Sequence, residues 1–93
     1  MTIAKAHVPT TNATKYLQQL CKHWSHRLRV ELQEGVGTVR FPDAVATMTA
    51  KSSELVVSVE ADDEEMLDLI KVVVAKHLDR FAFREAPLSF EWS

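Results

Sequence analysis

One cysteine, two glycines and three prolines are all that 93 residues contain of the types that most restrict or loosen a backbone. Each shortage excludes something. A lone Cys21 allows no intrachain disulfide, and without a C-x-x-C pair there is no thiol redox motif. So little Gly and Pro, beside 46% hydrophobic and 26% charged residues, excludes a collagen-like repeat, a low-complexity linker and a disordered tail. Long apolar runs are missing too: the longest aliphatic stretch is Val72–Ala75, against the roughly 20 residues a membrane-spanning helix needs. Met1–Thr11 lacks the apolar centre of a signal peptide, so the sequence reads as a cytoplasmic protein with no membrane association. Neither sign of charge dominates, with 11 basic residues against 13 acidic, which gives no overall pull toward nucleic acid or anionic lipid. A Gly-rich phosphate loop, a G-x-S-x-G elbow and an H-E-x-x-H motif are all absent, so no catalytic residue and no cofactor is implied.

What is present is regular patterning over the length of one small domain, residues 1–93. Residues 2–8 alternate apolar and polar, which predicts a strand that Pro9 ends. Thr10, Thr11 and Asn12 are N-cap candidates for a helix whose Ala13, Tyr16, Leu17, Leu20, Cys21, Trp24 and Leu28 form one stripe. Arg27 to Gln33 alternates again, Glu34-Gly35-Val36-Gly37 reads as a hairpin turn, and Val39 and Phe41 belong to the return strand. Strands follow at Ala44–Ala50 and around Leu55, Val57 and Val59. Asp62, with Glu65 three residues on, predicts a capping box for a second helix with Met66, Ile70, Val73, Val74, His77 and Phe81 on one face. After Pro87, alternating Leu88, Phe90 and Trp92 predict a last strand. The order is β-α-β-β-β-β-α-β, an α+β two-layer sandwich with both helices on one face of a mostly antiparallel sheet.

The string Cys21-Lys22-His23-Trp24-Ser25-His26 looks like a metal motif until it is placed on a helix. Cys21 and His23 then project about 200° apart, and Cys21 and His26 about 140° apart. Only His23 and His26, about 60° from each other, could share an ion, and two neutral ligands make an incomplete site. His77 has two readings: a core imidazole bonded to a backbone carbonyl or to Tyr16, or the polar group of a ligand pocket. Arg80 suits the negative end of the second helix dipole, while Arg84, just beyond, could serve an anionic ligand or pair with Glu85, Glu91 or Asp79. Charge is segregated: Lys15, Lys22, Arg27 and Arg29 fall in a stretch with no acid, and Glu60 to Asp68 carries six acids with no base. Nucleic acid is not the expected partner of that basic stretch, because its Tyr16 and Trp24 lie on the apolar stripe and cannot stack on bases.

The strings Tyr16-Leu17-x-x-Leu20-Cys21-Lys22-His23-Trp24-x-His26, Val59-Glu60-Ala61-Asp62 and His77-Leu78-x-Arg80-Phe81-Ala82-Phe83-Arg84-Glu85 resemble a bacterial family known as domain of unknown function 2218. The resemblance covers nearly the whole chain and implies a stand-alone α+β domain. It also implies a context near siderophore-interacting flavin reductases, and it assigns no catalytic residue. It draws attention to His23, His77, Arg80 and Arg84 as ligand-binding candidates: with the two helices side by side, His23, His77 and Arg84 would converge on one crevice. The expected function is an accessory domain, more readily non-enzymatic than catalytic, that binds a small molecule or a partner protein. The alternative is a metal- or haem-binding protein using His23 and His77. A short chain gains core by dimerising, which makes a homodimer the expected assembly.

Overall fold

The computed structural model describes residues 2–82, 84, 85, 88 and 90–93. The elements run β1 (Thr2–Pro9), α1 (Ala13–Trp24), β2 (Arg29–Gln33), β3 (Val36–Phe41), β4 (Ala44–Ala50), β5 (Glu54–Ala61) and α2 (Glu64–Phe81). The strands form one antiparallel sheet in the order β1-β5-β4-β3-β2. Consecutive strands β2 to β5 are joined as a meander, and β1 closes the far side against β5. Alternation decides which face is covered. Ala4, Ala6 and Val8 of β1, Val39 of β3, Ala46 and Met48 of β4, and Leu55, Val57 and Val59 of β5 all point under the helices and are buried. Their sheet neighbours Ile3, Lys5, Thr38, Thr47 and Ser58 occupy the other face.

Both helices cover the same face, each for a reason visible in its stripe. Ala13, Tyr16, Leu17, Leu20, Cys21 and Trp24 of α1 are buried, as their spacing requires. In α2 the buried residues are Leu67, Ile70, Val74 and Leu78. The expected face of Met66, Ile70, Val73, Val74, His77 and Phe81 is therefore corrected by a rotation of about 50° around the helix axis. The apolar arc of α2 is wide: its Leu67–Leu78 side meets the sheet, and its His77 side turns toward α1. The helix N-cap is Asp63 and not Asp62, since Asp63 Oδ1 accepts from the Met66 N–H at 2.8 Å.

Two other expectations change. The last strand reduces, among the described residues, to a single antiparallel bridge between Ala6 and Trp92. It is held by Lys5 N–H to Ser93 O at 3.1 Å and Ser93 N–H to Lys5 O at 2.9 Å. Pro87, expected to open that strand, and Ser89 within it lie outside the described residues. The β2–β3 turn is only Glu34-Gly35, both with positive φ, at 49° and 78°. This is the twist-matched two-residue hairpin, in which Asn or Asp normally precedes Gly because a longer side chain resists the left-handed region. Glu34→Asn should raise stability by about 0.5–1 kcal/mol, readable as an upward shift of the urea midpoint. An unchanged or lower midpoint would contradict that reading of the turn.

Gly37, expected in the turn, instead sits in β3 beneath α1. A Cβ placed there would lie 2.6 Å from Cys21 Sγ and 2.7 Å from Leu17 Cδ1. The missing side chain lets the helix approach the sheet.

Candidate functional site

The rotation of α2 brings His77 to the seam between the helices. Its ring is half-buried and packs on Trp24 and His23, with centroid separations of 5.1 Å and 5.4 Å. Trp24 in turn meets Phe41 edge-on at 5.3 Å, and His23 meets Phe81 at 5.7 Å. Five rings from α1, α2 and β3 thus form one chain. His77 Nδ1 lies 2.7 Å from the Val73 carbonyl one turn earlier. A carbonyl only accepts, so Nδ1 carries the proton, and in the neutral ring Nε2 keeps its lone pair. Of the two partners expected for a core imidazole, the backbone carbonyl is the one found, while the Tyr16 hydroxyl bonds to Glu85.

Around these rings opens a crevice of about 550 Å3, lined by His23, Trp24, His26, Arg27, Leu28 and His77. A second, of about 350 Å3, is lined by Asn12, Lys15, Tyr16, Phe81, Arg84 and Glu85. The helices run in opposite senses, because His23 near the end of α1 meets His77 while Tyr16 near its start meets Glu85 beyond α2. The crevices therefore follow each other along the interhelical seam. His23 and His77 do converge. Arg84 does not join them: it lines the adjacent crevice, since more than a helical turn separates it from His77. Arg80 is exposed in the last turn of α2 and lines neither crevice, in keeping with a role at the helix dipole. His26 is exposed at the mouth of the first crevice. Among the described residues no three His, Cys, Asp or Glu side chains gather closely enough to hold a metal ion.

Glu85 organises the second crevice. Its carboxylate accepts from Thr10 Oγ1 at 3.0 Å, from Asn12 Nδ2 at 3.1 Å and from the Tyr16 hydroxyl. The Asn12 N–H donates to Thr10 Oγ1 at 3.1 Å, and the Asn12 side chain, engaged with Glu85, makes no cap bond to α1. The Tyr16 hydroxyl first, then the Asn12 amide, with a lesser contribution from the Thr10 hydroxyl, hold the Glu85 carboxyl below the usual carboxylate range against the opposing effect of burial. The same carboxylate, by its hydrogen bond first, with burial and its charge adding, pushes the Tyr16 phenol up. Asp79 is committed to the backbone N–H of Leu88 at 2.9 Å. Sequence reasoning offered Glu85 only as a partner for Arg84, because its three donors lie at the opposite end of the chain and leave no local signal. Trp24, Arg27 and Leu28 were likewise read as stripe and strand residues, and only the docking of α2 turns them into a crevice wall.

Cys21 takes no part. It is buried against Gly37, and burial pushes its thiol up, away from the reactive thiolate.

No curated protein is similar enough to match the chain. A solved structure is similar: PA4090 from Pseudomonas aeruginosa, determined by NMR, is 33% identical, with a TM-score of 0.87 over 100% of this chain and 96% of that one. The model of a bacterial family matches residues 5–93, which include both helices, every lining residue of the two crevices and the bridge at Trp92. The chain belongs to this family, the uncharacterized proteins conserved in bacteria known as DUF2218.

Proposed function

We propose that this domain is a non-enzymatic binding module that takes a small ligand in the crevice between α1 and α2. The observation that carries the reading is the meeting of His23 and His77, from different helices, at a ring separation of 5.4 Å beside a crevice of about 550 Å3. Apolar and aromatic walls with a few convergent polar groups are the usual composition of a ligand site. Binding is favoured over catalysis because, among the described residues, the lining includes no Ser, Thr, Cys or carboxylate that an imidazole could activate or be oriented by. A metal held by His23 and His77 would have two protein ligands, fewer than resident zinc sites use.

The context implied by the family resemblance places siderophores, flavins and haem on the test panel, with iron handling as the accompanying role. In a thermal-shift screen the true ligand should raise the midpoint by several degrees, since a ligand at a hundredfold excess over its Kd adds about 2.7 kcal/mol. His23→Ala and His77→Ala should each weaken that ligand roughly tenfold while retaining the fold, a loss typical of one polar or stacking contact. A bound ligand that leaves the imidazole resonances of His23 and His77 unperturbed would overturn the assignment.

A further inference from the structure

Four exposed residues of α2 fall on one line. Glu65, Leu69, Val72 and Lys76 follow i, i+4, i+7, i+11 spacing, which places them within an arc of about 60°. The arc lies opposite Leu67, Ile70, Val74 and Leu78, so it faces directly away from the sheet. Leu69 is 55% exposed and Val72 49%. The other large apolar residues exposed among the described ones, Ile3 and Leu32, stand singly on β1 and β2, at opposite edges of the sheet. The patch on α2 extends past the helix: Val72 and Ala75 wall a shallow hollow of about 290 Å3 with Trp92, whose ring centroid lies 5.4 Å from Lys71 Nζ. A surface helix normally turns polar residues to water, and adjoining exposed apolar residues mark an interaction surface.

The charges at the two ends of the stripe indicate what covers it. Glu65 stands one turn before Leu69 and Lys76 one turn after Val72, and neither has an ion-pair partner among the described residues. In reverse the stripe runs base, apolar, apolar, acid, so it is complementary to itself. A second α2 running antiparallel would set Leu69 against the partner's Val72 and Glu65 against the partner's Lys76. Both pairings share one twofold axis, because each is symmetric about the midpoint of Ile70 and Lys71. We infer that α2 docks in this way on α2 of a second copy, giving the homodimer expected of so short a chain. A closed twofold contact uses the same patch on both subunits, so self-complementarity is its signature, and an unrelated partner would not require it. His77 lies about 110° around the helix from the stripe, so the α1–α2 crevice stays open and the inference is independent of the ligand reading. A pair of 18-residue helices, each about 27 Å long, buries less than the roughly 1,200 Å2 at which stable interfaces begin. The dimer is therefore weak, with a Kd of roughly 10–100 μM.

Sedimentation equilibrium of the full chain, at concentrations up to about 1 mM, should show the mass rising from 10.5 kDa toward twice that value. Because the axis repeats every pairing, one substitution alters two contacts. Glu65→Lys alone, or Lys76→Glu alone, brings like charges together at both and should weaken association roughly tenfold. An equimolar mixture of these two variants has opposite charges at both pairings again, and should associate about as tightly as the parent. Leu69→Ser with Val72→Ser, at exposed positions that folding does not need, should hold the mass at that of one chain throughout, with the far-UV circular dichroism unchanged. A parent that stays at 10.5 kDa over the whole range overturns the inference. So does a dimer that the double serine variant leaves intact, as one formed through the β2 edge of the sheet would be. A mixture of the two charge variants that associates no better than either alone overturns it as well.

Discussion

Gly37→Ala should lower the stability of this domain by about 1–3 kcal/mol, the usual cost of forcing extra volume into a packed core. For a domain of this length that is a fall in Tm of about 5–20 °C. The added methyl would meet Cys21 Sγ at 2.6 Å and Leu17 Cδ1 at 2.7 Å, closer than real contacts allow. Neither neighbour has room to withdraw: Leu17 is 0% exposed and Cys21 3%, both on the buried stripe of α1. Relief must come from moving the helix off the sheet or from forcing Leu17 off its rotamer, and both disturb the packing around Leu20 and Trp24. The cause is checked by a double-mutant cycle. Cys21→Ala removes the sulfur, so in the Gly37→Ala background it should recover part of the loss, whereas alone it should destabilise. A Gly37→Ala protein that melts within a degree or two of the parent would mean that α1 does not lie this close to β3.

Glu85→Ala should be the second large effect, at about 2 kcal/mol. It strips the acceptor from Thr10 and Tyr16, which are 5% exposed each, and from Asn12. The figure lies well below the sum for three charge-assisted bonds, because Glu85 itself is exposed and water replaces part of what is lost. The pH dependence identifies the mechanism. A carboxyl held below its ordinary value contributes stability that is complete above about pH 5, where the unfolded group is also ionised. That contribution is lost as the pH falls through the lowered value of the folded state. The gap between the parent and Glu85→Gln should therefore be full at neutral pH and close in acid, in urea titrations repeated from neutral pH downward. Tyr16 has the opposite sign: its raised phenol favours the fold below about pH 10 and ceases to do so as the pH rises through the raised value. A gap that is constant from neutral to strongly acidic pH would show that Glu85 acts by packing and not by charge.

These two residues mark where local reading stops. Gly35 and Gly37 look alike in sequence, two glycines near a polar break between alternating segments. Gly35 is the turn residue with positive φ, and Gly37 is a strand residue whose missing Cβ matters only because Leu17 and Cys21 descend on it. Nothing within several residues of Gly37 reports that contact. Glu85 reads as one more surface acid near a helix end, yet its donors stand at the start of α1. The apolar arc of α2 was visible, but its width left the facing direction open by about half the angle between successive residues. That difference moved His77 from the centre of a buried face to the edge of a groove.

Local patterning was enough to place both helices and the strands β1 to β5 and to choose the architecture. A 3.6-residue stripe from Ala13 to Trp24 and strict alternation in the strands admit one kind of solution, helices on a single face of an antiparallel sheet. It also determined the segregation of charge that leaves α1 basic. Only the tertiary structure decided that His23 meets His77, that Arg84 serves a different crevice from theirs, that Glu85 closes on Thr10, Asn12 and Tyr16, and that the last strand is a single bridge at Trp92. The physical reason is range. Periodicity and capping act over a few bonded neighbours and are written locally, whereas the rotation of one helix against another is set by the fit of side chains far apart in the chain.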